Sequence, residues 1–241
     1  MIAKLLLGPL LLWQGRRVRA TALRLPEAAG PRAAEGDALR VLIVGDSSAA
    51  GVGARHQDQA LAGCLAQALR RRLGRPVGWQ LVAASGHGTR EAHAQLASAV
   101  LQPADVLVTA LGVNDVVEQV PARQALADLH ALHQQAVDRA GVQFTVHCAA
   151  PPMQHFPLLP QPLRWFFGRE AARYNAALQA AVAGQPRRVV LPLPAALQQD
   201  AARWMAEDGF HPGPRGYALW AEAVADQVVM GLGLPSLSMA T

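Results

Sequence analysis

The sequence predicts an α/β protein: a three-layer α/β/α sandwich with helices on both faces of a doubly wound, five-stranded parallel sheet. Three observations carry that expectation. From Ala38 onward, apolar β-branched runs alternate with longer amphipathic runs, the two periods that separate buried strands from helices. The connections between them are short, as in right-handed strand–helix–strand units. Finally, 241 residues, 51% hydrophobic and 16% charged, supply enough apolar material for one sizeable core.

Arg40 to Gly45 (RVLIVG) reads as a strand buried on both faces, since its apolar run shows no polar alternation. Gln59 to Leu73 reads as a helix closed by Gly74 and Pro76. Val77 to Ala84 is a second strand, followed by a helix through Leu101. Asp105 to Leu111 is a third strand, and Pro121 opens a helix running to about Ala140. Val142 to Ala149 is the fourth strand, stopped by Pro151 and Pro152. Arg164 to Ala183 is helical, Arg188 to Leu193 a short fifth strand, and Pro214 to Met230 the last helix. The folded domain is expected over 38–233, with an N-terminal arm and linker at 1–37 and a tail at 234–241.

The formal net charge is +5. Its two short basic groups, Arg16, Arg17 and Arg19, then Arg70, Arg71 and Arg72, are not interleaved with aromatics, so a basic surface is expected and no nucleic acid partner. Cys64 and Cys148 form no C-x-x-C and read as small buried hydrophobes. At the N-terminus, Leu5 to Trp13 is an apolar run broken by Gly8 and Pro9, shorter than the roughly 20 residues of a membrane span. Arg16, Arg17 and Arg19 follow it before a weak Ala20-Thr21-Ala22 cleavage-like site, a poor secretory signal. Two readings of residues 1–25 stay open, a peripheral membrane foot and an arm packed on the domain. The expected location is cytoplasmic, with peripheral membrane contact or secretion left open.

In an open parallel sheet the site collects at the carboxyl ends of the strands. Four loops bring polar groups there: Gly45-Asp46-Ser47-Ser48, Ser85-Gly86-His87-Gly88, Gly112-Val113-Asn114-Asp115 and Asp208-Gly209-Phe210-His211. Ser47 stands where a buried strand meets a Gly-rich turn, expected to lie near a helix N-terminus, which suits an exposed nucleophile. His211 is the expected base, and Asp208, three residues earlier on the same loop, the carboxylate that fixes its tautomer. The N–H groups of Ser47 and Gly86 and the amide of Asn114 would hold an oxyanion.

These four blocks, in this order, resemble those of the SGNH (GDSL-type) hydrolases over roughly Leu39 to Ala225. The resemblance implies the family's flavodoxin-like fold, with Ser47 as nucleophile, Gly86 and Asn114 as oxyanion donors, His211 as base and Asp208 as its partner. The second block departs from many members in reading Ala83-Ala84-Ser85 before its glycine, and Gly88 is a second candidate for that donor. The Gly-x-Ser-x-Gly elbow of α/β-hydrolases is absent.

Asp46 and Asp115 read as loop-tying carboxylates. His130 and His133 read as a solvated helix face, without the third ligand of a metal site. Gly51-Val52-Gly53 lacks the rest of a nucleotide fingerprint, so neither metal nor cofactor is expected. His87 is a candidate cleft residue. The long apolar segment Ala149 to Gly168 should overhang the active edge, with Met153, Phe156, Leu158 and Leu159 as candidate walls of a substrate pocket; Trp165 and Phe166 should anchor the following helix in the core. The expected function is a serine esterase acting on small or hydrophobic acyl esters as small-molecule substrates. The alternatives are an acyltransferase, thioesterase or lysophospholipase using the same triad, and a non-catalytic binding module. Oligomeric state is not legible.

Overall fold

The computed structural model describes residues 2–235, excepting the side chains of residues 2–6, 199 and 201; most of the expected tail therefore lies outside the described residues. In chain order the elements are α1 (Ile2–Thr21), β1 (Ala33–Ala34), β2 (Arg40–Gly45), α2 (Leu61–Leu73), β3 (Gly78–Ala83), α3 (Thr89–Ser98), β4 (Val106–Ala110), α4 (Val113–Val117), α5 (Ala122–Ala140), β5 (Phe144–Cys148), α6 (Leu163–Val182), β6 (Arg188–Leu191), α7 (Ala195–Gln199), α8 (Ala201–Trp204) and α9 (Pro214–Leu232). Short 3₁₀ turns cover Gln57–Gln59 and Met153–His155.

The sheet order is β1-β3-β2-β4-β5-β6, with all neighbours parallel except β1 on β3. The five parallel strands are those expected. Alternate strand residues divide the core in two. Val41, Ile43, Val106 and Val108 face one apolar cluster with α2 and α9, and Leu42, Val44 and Leu107 face the other with α3, α5 and α6. Burial on both faces explains why RVLIVG shows no polar alternation.

Register places the functional loops. Ala83 pairs with Gly45, Gly45 with Ala110, Ala110 with Cys148 and Cys148 with Leu191. The parallel strands thus end on one row, and the segments after β2, β3 and β4 emerge side by side. After β2 the chain crosses to one side of it and then returns to the other, so this edge lies at the topological switch point.

The arm packs on the domain, one of its two open readings. The run broken by Gly8 and Pro9 is one helix, α1, which contains Pro9. The expected linker is pinned to the domain. Ala33 and Ala34 add an antiparallel edge strand to β3, Ala28 N–H donates to the Ala50 carbonyl (3.2 Å) and Gln57 N–H to that of Ala29 (2.8 Å). Backbone hydrogen bonding does not depend on side chains, so composition could not reveal it.

His133 is not on a solvated face. It is half-buried, its Nδ1 lies 3.1 Å from Thr145 Oγ1, and burial, then the nearby Arg188, lowers its pKa to about 4. His147 on β5, buried between Thr109 Oγ1 (2.8 Å) and the Arg188 guanidinium (2.9 Å), is lowered to about 3 by the same causes. Unfolding restores the ordinary value near 6.5, so below it the unfolded chain binds more protons and stability falls toward acid. The urea midpoint should therefore decline between about pH 6.5 and pH 4, and His133→Gln should make the decline shallower. A slope unchanged by that variant would remove His133 as a cause.

Candidate active site

Beyond Gly45 the chain turns through Asp46–Gly53 without becoming helical. Ala50 N–H donates to the Asp46 carbonyl (2.9 Å) and Val52 N–H to that of Ser47 (3.0 Å). A tight turn thus takes the place of the helix N-terminus expected beside Ser47. Asp46 is buried, and its Oδ1 accepts the Ser48 N–H (2.9 Å) and hydroxyl (2.7 Å), tying the loop. Burial pushes its carboxyl above the ordinary value although the Ser48 bonds oppose this. Asp115 accepts the Thr89 N–H and hydroxyl, the latter at 2.6 Å, joining α4 to the start of α3.

His211 Nε2 lies 2.8 Å from Ser47 Oγ, and its Nδ1 lies 2.6 Å from Asp208 Oδ2. Asp208 Oδ1 accepts the N–H groups of Phe210 and His211, each at 3.0 Å, so one carboxylate fixes both the loop and the ring. Burial alone would raise the Asp208 carboxyl. The bonds from His211 and Phe210 outweigh burial and hold it below the ordinary value. An anion there puts the imidazole proton on Nδ1 and leaves Nε2 as acceptor toward the Ser47 hydroxyl. Gly53, at φ +96°, lets the two loops meet: a Cβ there would lie 2.3 Å from the Pro212 carbonyl oxygen.

The N–H groups of Ser47 and Gly86 make no hydrogen bond among the described residues. Gly86 adopts φ +84°, and a Cβ on it would meet open space. Gly88 N–H, by contrast, donates to Glu91 Oε2 at 3.1 Å. Of the two candidate glycines, only Gly86 keeps its donor free. Asn114 Nδ2 donates to the His87 carbonyl at 2.8 Å, which ties the third block to the second and leaves the other amide hydrogen unused.

The family model of the GDSL-like lipase/acylhydrolase family matches residues 43–219. The chain belongs to that family. It is therefore a carboxylic-ester hydrolase of the serine class. No curated protein matches the sequence. Similar solved structures include a lipase from a goat rumen metagenome (TM-score 0.63, 17% identity, covering 78% of this chain and 96% of that one). Others are a psychrotrophic esterase from Pseudoalteromonas sp. (0.57, 18%, 80% and 98%) and a carbohydrate acetylesterase from Sinorhizobium meliloti (0.56, 18%, 80% and 99%). At these identities the likeness concerns the fold.

Beside Ser47 lies a recess of about 760 Å³, counting the open solvent at its mouth. Ser47 and His211 lie on its wall; Cys148, Phe156, Leu193, Leu197, Trp204 and Trp220 make it apolar. Burial pushes the Cys148 thiol up to about 12, so it contributes shape and no nucleophile.

Of the four expected pocket residues, Phe156 lines this recess. Met153 and Leu159 are instead buried in the core on the α3–α5–α6 side. Leu158 sits beside Gly209, its N–H donating to that carbonyl at 3.2 Å. The segment is apolar because most of it folds into the core, while Ala149, Pro151 and Phe156 reach the recess. His87 does not line the recess. Trp165 is exposed, whereas Phe166, half-buried, packs against the core beside Leu163 and Phe167, which anchor α6. Cys64 is partly exposed where burial was expected.

Sequence reasoning missed Leu193, Leu197, Trp204 and Trp220, which reach the recess from the segment after β6 and from α9. It also missed Glu27. Its Oε1 accepts the Ser85 N–H at 2.7 Å, one residue before Gly86, while Arg32 pairs with its Oε2 (3.2 Å) and donates to the Ala83 carbonyl. No local signal marks Glu27, because Ser85, the partner through which it reaches the site, lies 58 residues away.

Proposed function

We propose that this chain hydrolyses hydrophobic carboxylic esters by two-step acyl transfer through Ser47. The hydroxyl attacks the ester carbonyl as His211 Nε2 takes its proton, and Asp208 balances the imidazolium. The tetrahedral oxyanion is held by the N–H groups of Ser47 and Gly86 and the free amide hydrogen of Asn114. His211 then protonates the departing alcohol, and a water, deprotonated by the same nitrogen, releases the acid from Ser47. The observation that carries this reading is the Ser47–His211–Asp208 relay opening directly onto an apolar recess.

Asn114→Ala is expected to lower kcat by about 10²–10³ with KM little changed, because the donor acts on charge that exists only in the transition state. An equal rise in KM instead would make Asn114 a ground-state binder.

The recess suits a medium acyl chain. On p-nitrophenyl acetate, butyrate, octanoate and palmitate, kcat/KM should peak at the middle of the series. Leu197→Trp, which fills the recess, should cut the octanoate value by about tenfold or more and spare acetate. If acetate and octanoate fell together, the acyl chain would not occupy the recess. Transfer to another acceptor would use the same residues, and added alcohols yielding transesterified product would reveal it. A non-catalytic binding role has no use for a serine hydroxyl 2.8 Å from an oriented imidazole.

A further inference from the structure

We propose that α1 is an interfacial helix that docks the protein on an anionic lipid surface. Among its described side chains, α1 packs on the domain along one side. Leu7, Leu11, Gln14 and Val18, spaced on one helical face, pack on the domain, where Leu11 and Gln14 are buried. Gln14 clamps the start of α6: its Nε2 donates to the Gln161 carbonyl at 2.7 Å, and its Oε1 accepts the Leu163 N–H at 3.1 Å. The helix is thereby fixed in orientation.

The remaining surface stays apolar where a water-facing helix would be polar. Leu12 is 66% exposed, Trp13 54% and Leu10 41%. Trp165, two residues beyond the clamped Leu163, is 38% exposed with the Arg169 guanidinium over its ring at 4.9 Å. Cations follow directly along α1. Arg16, Arg17 and Arg19 are exposed and pair with no carboxylate among the described residues, and Arg17 lies over the Trp13 ring at 5.4 Å.

Exposed Leu and Trp bordered by unpaired Arg is the chemistry of a bilayer interface: apolar side chains enter the acyl boundary and guanidinium groups meet lipid phosphates. A second copy of the chain fits less well. The three large apolar side chains exposed on α1 among the described residues fall far short of the roughly 800 Å² per partner of a stable protein interface, and like-charged arginines would face each other. No helix among the described residues is long and apolar enough to cross a membrane, so the contact is peripheral.

The foot is joined to the site by a short path. From the Gln161 clamp the chain runs back to Leu158, bonded to the Gly209 carbonyl, and Phe156, on the recess wall. Docking would hold the recess near a lipid surface, where hydrophobic esters concentrate.

Cosedimentation of the full chain with phosphatidylcholine vesicles, with and without phosphatidylglycerol, tests this without reference to catalysis. Wild type should pellet with the anionic vesicles and be released by salt. Each near-surface Arg contributes about fivefold to partitioning, so the Arg16→Ala, Arg17→Ala, Arg19→Ala variant should bind about 100-fold more weakly. The Leu10→Ser, Leu12→Ser, Trp13→Ser variant should also stay in solution, and both should keep wild-type activity on p-nitrophenyl butyrate, showing an intact domain. Wild type left in the supernatant with both vesicles would overturn the proposal, as would variants that pellet like wild type. A wild-type dimer that becomes monomeric in the Ser variant would overturn it too, by assigning the face to self-association.

Discussion

Ser47→Ala is expected to remove hydrolysis of every ester the wild type accepts, with kcat falling on the order of 10⁶-fold while the protein stays folded. The size follows from what the hydroxyl does. It supplies the bond-forming atom of the first step, and the chain offers no substitute within the relay. Ser48 is the nearest hydroxyl in sequence, but it donates to Asp46 at 2.7 Å. Cys148 lines the same recess as a thiol held protonated by burial. The fold should barely notice the change. Among the described residues, the one side-chain hydrogen bond of Ser47 is donated by its hydroxyl to His211 Nε2, whose ring reaches solvent, so the cost should be about 1 kcal/mol or less. A variant with wild-type circular dichroism and melting but no activity is the expected outcome. Retained activity would move the nucleophile elsewhere.

Asp208→Asn should be the next most damaging exchange, lowering kcat by about 10⁴-fold. Asp208 Oδ1 accepts two backbone N–H groups and Oδ2 accepts the imidazole proton. An asparagine must keep its carbonyl oxygen toward the two N–H groups, because its amide would meet them donor to donor. The amide then faces His211 Nδ1, which has to become an acceptor. The proton moves to Nε2, the atom that should receive the Ser47 proton. Since the Asp208 carboxyl lies below its ordinary value, it is ionised at any pH above the usual carboxylate range. The loss should therefore persist from weakly acid to alkaline conditions. A variant that matched wild type above neutrality would show that His211 does not need the carboxylate to set its tautomer.

Much of this site is legible because parallel strands bury both faces. Continuous runs such as RVLIVG and VLVTA mark the strands, and their ends mark where chemistry can sit. The register row from Ala83 to Leu191 then brings together loops separated by up to about 160 positions. Glu27 and the Ala33–Ala34 strand were illegible for a different reason. They act through backbone partners distant in sequence, and an Ala-, Pro- and Gly-rich stretch looks like a linker whether or not its amides are paired.

The recess shows a third kind of gap. Apolarity alone does not separate a pocket wall from a core contact. Met153 and Leu159 went to the core, Phe156 to the recess, and Trp165 to the surface. Periodicity could place a side chain on a helix face but not say what that face meets. His133 shows the same limit: its neighbours on α5 mark a polar face, yet β5 and Arg188 cover it.

The most direct test of the serine mechanism is covalent trapping with a p-nitrophenyl alkylphosphonate, which Ser47 would attack with loss of nitrophenolate, followed by peptide mapping. Stoichiometric phosphonylation confined to Ser47 is expected, coincident with loss of esterase activity, absent in Ser47→Ala and slowed in Asp208→Asn. Phosphonylation of another residue in step with inactivation, or full ester hydrolysis by a protein whose Ser47 is already blocked, would contradict that mechanism.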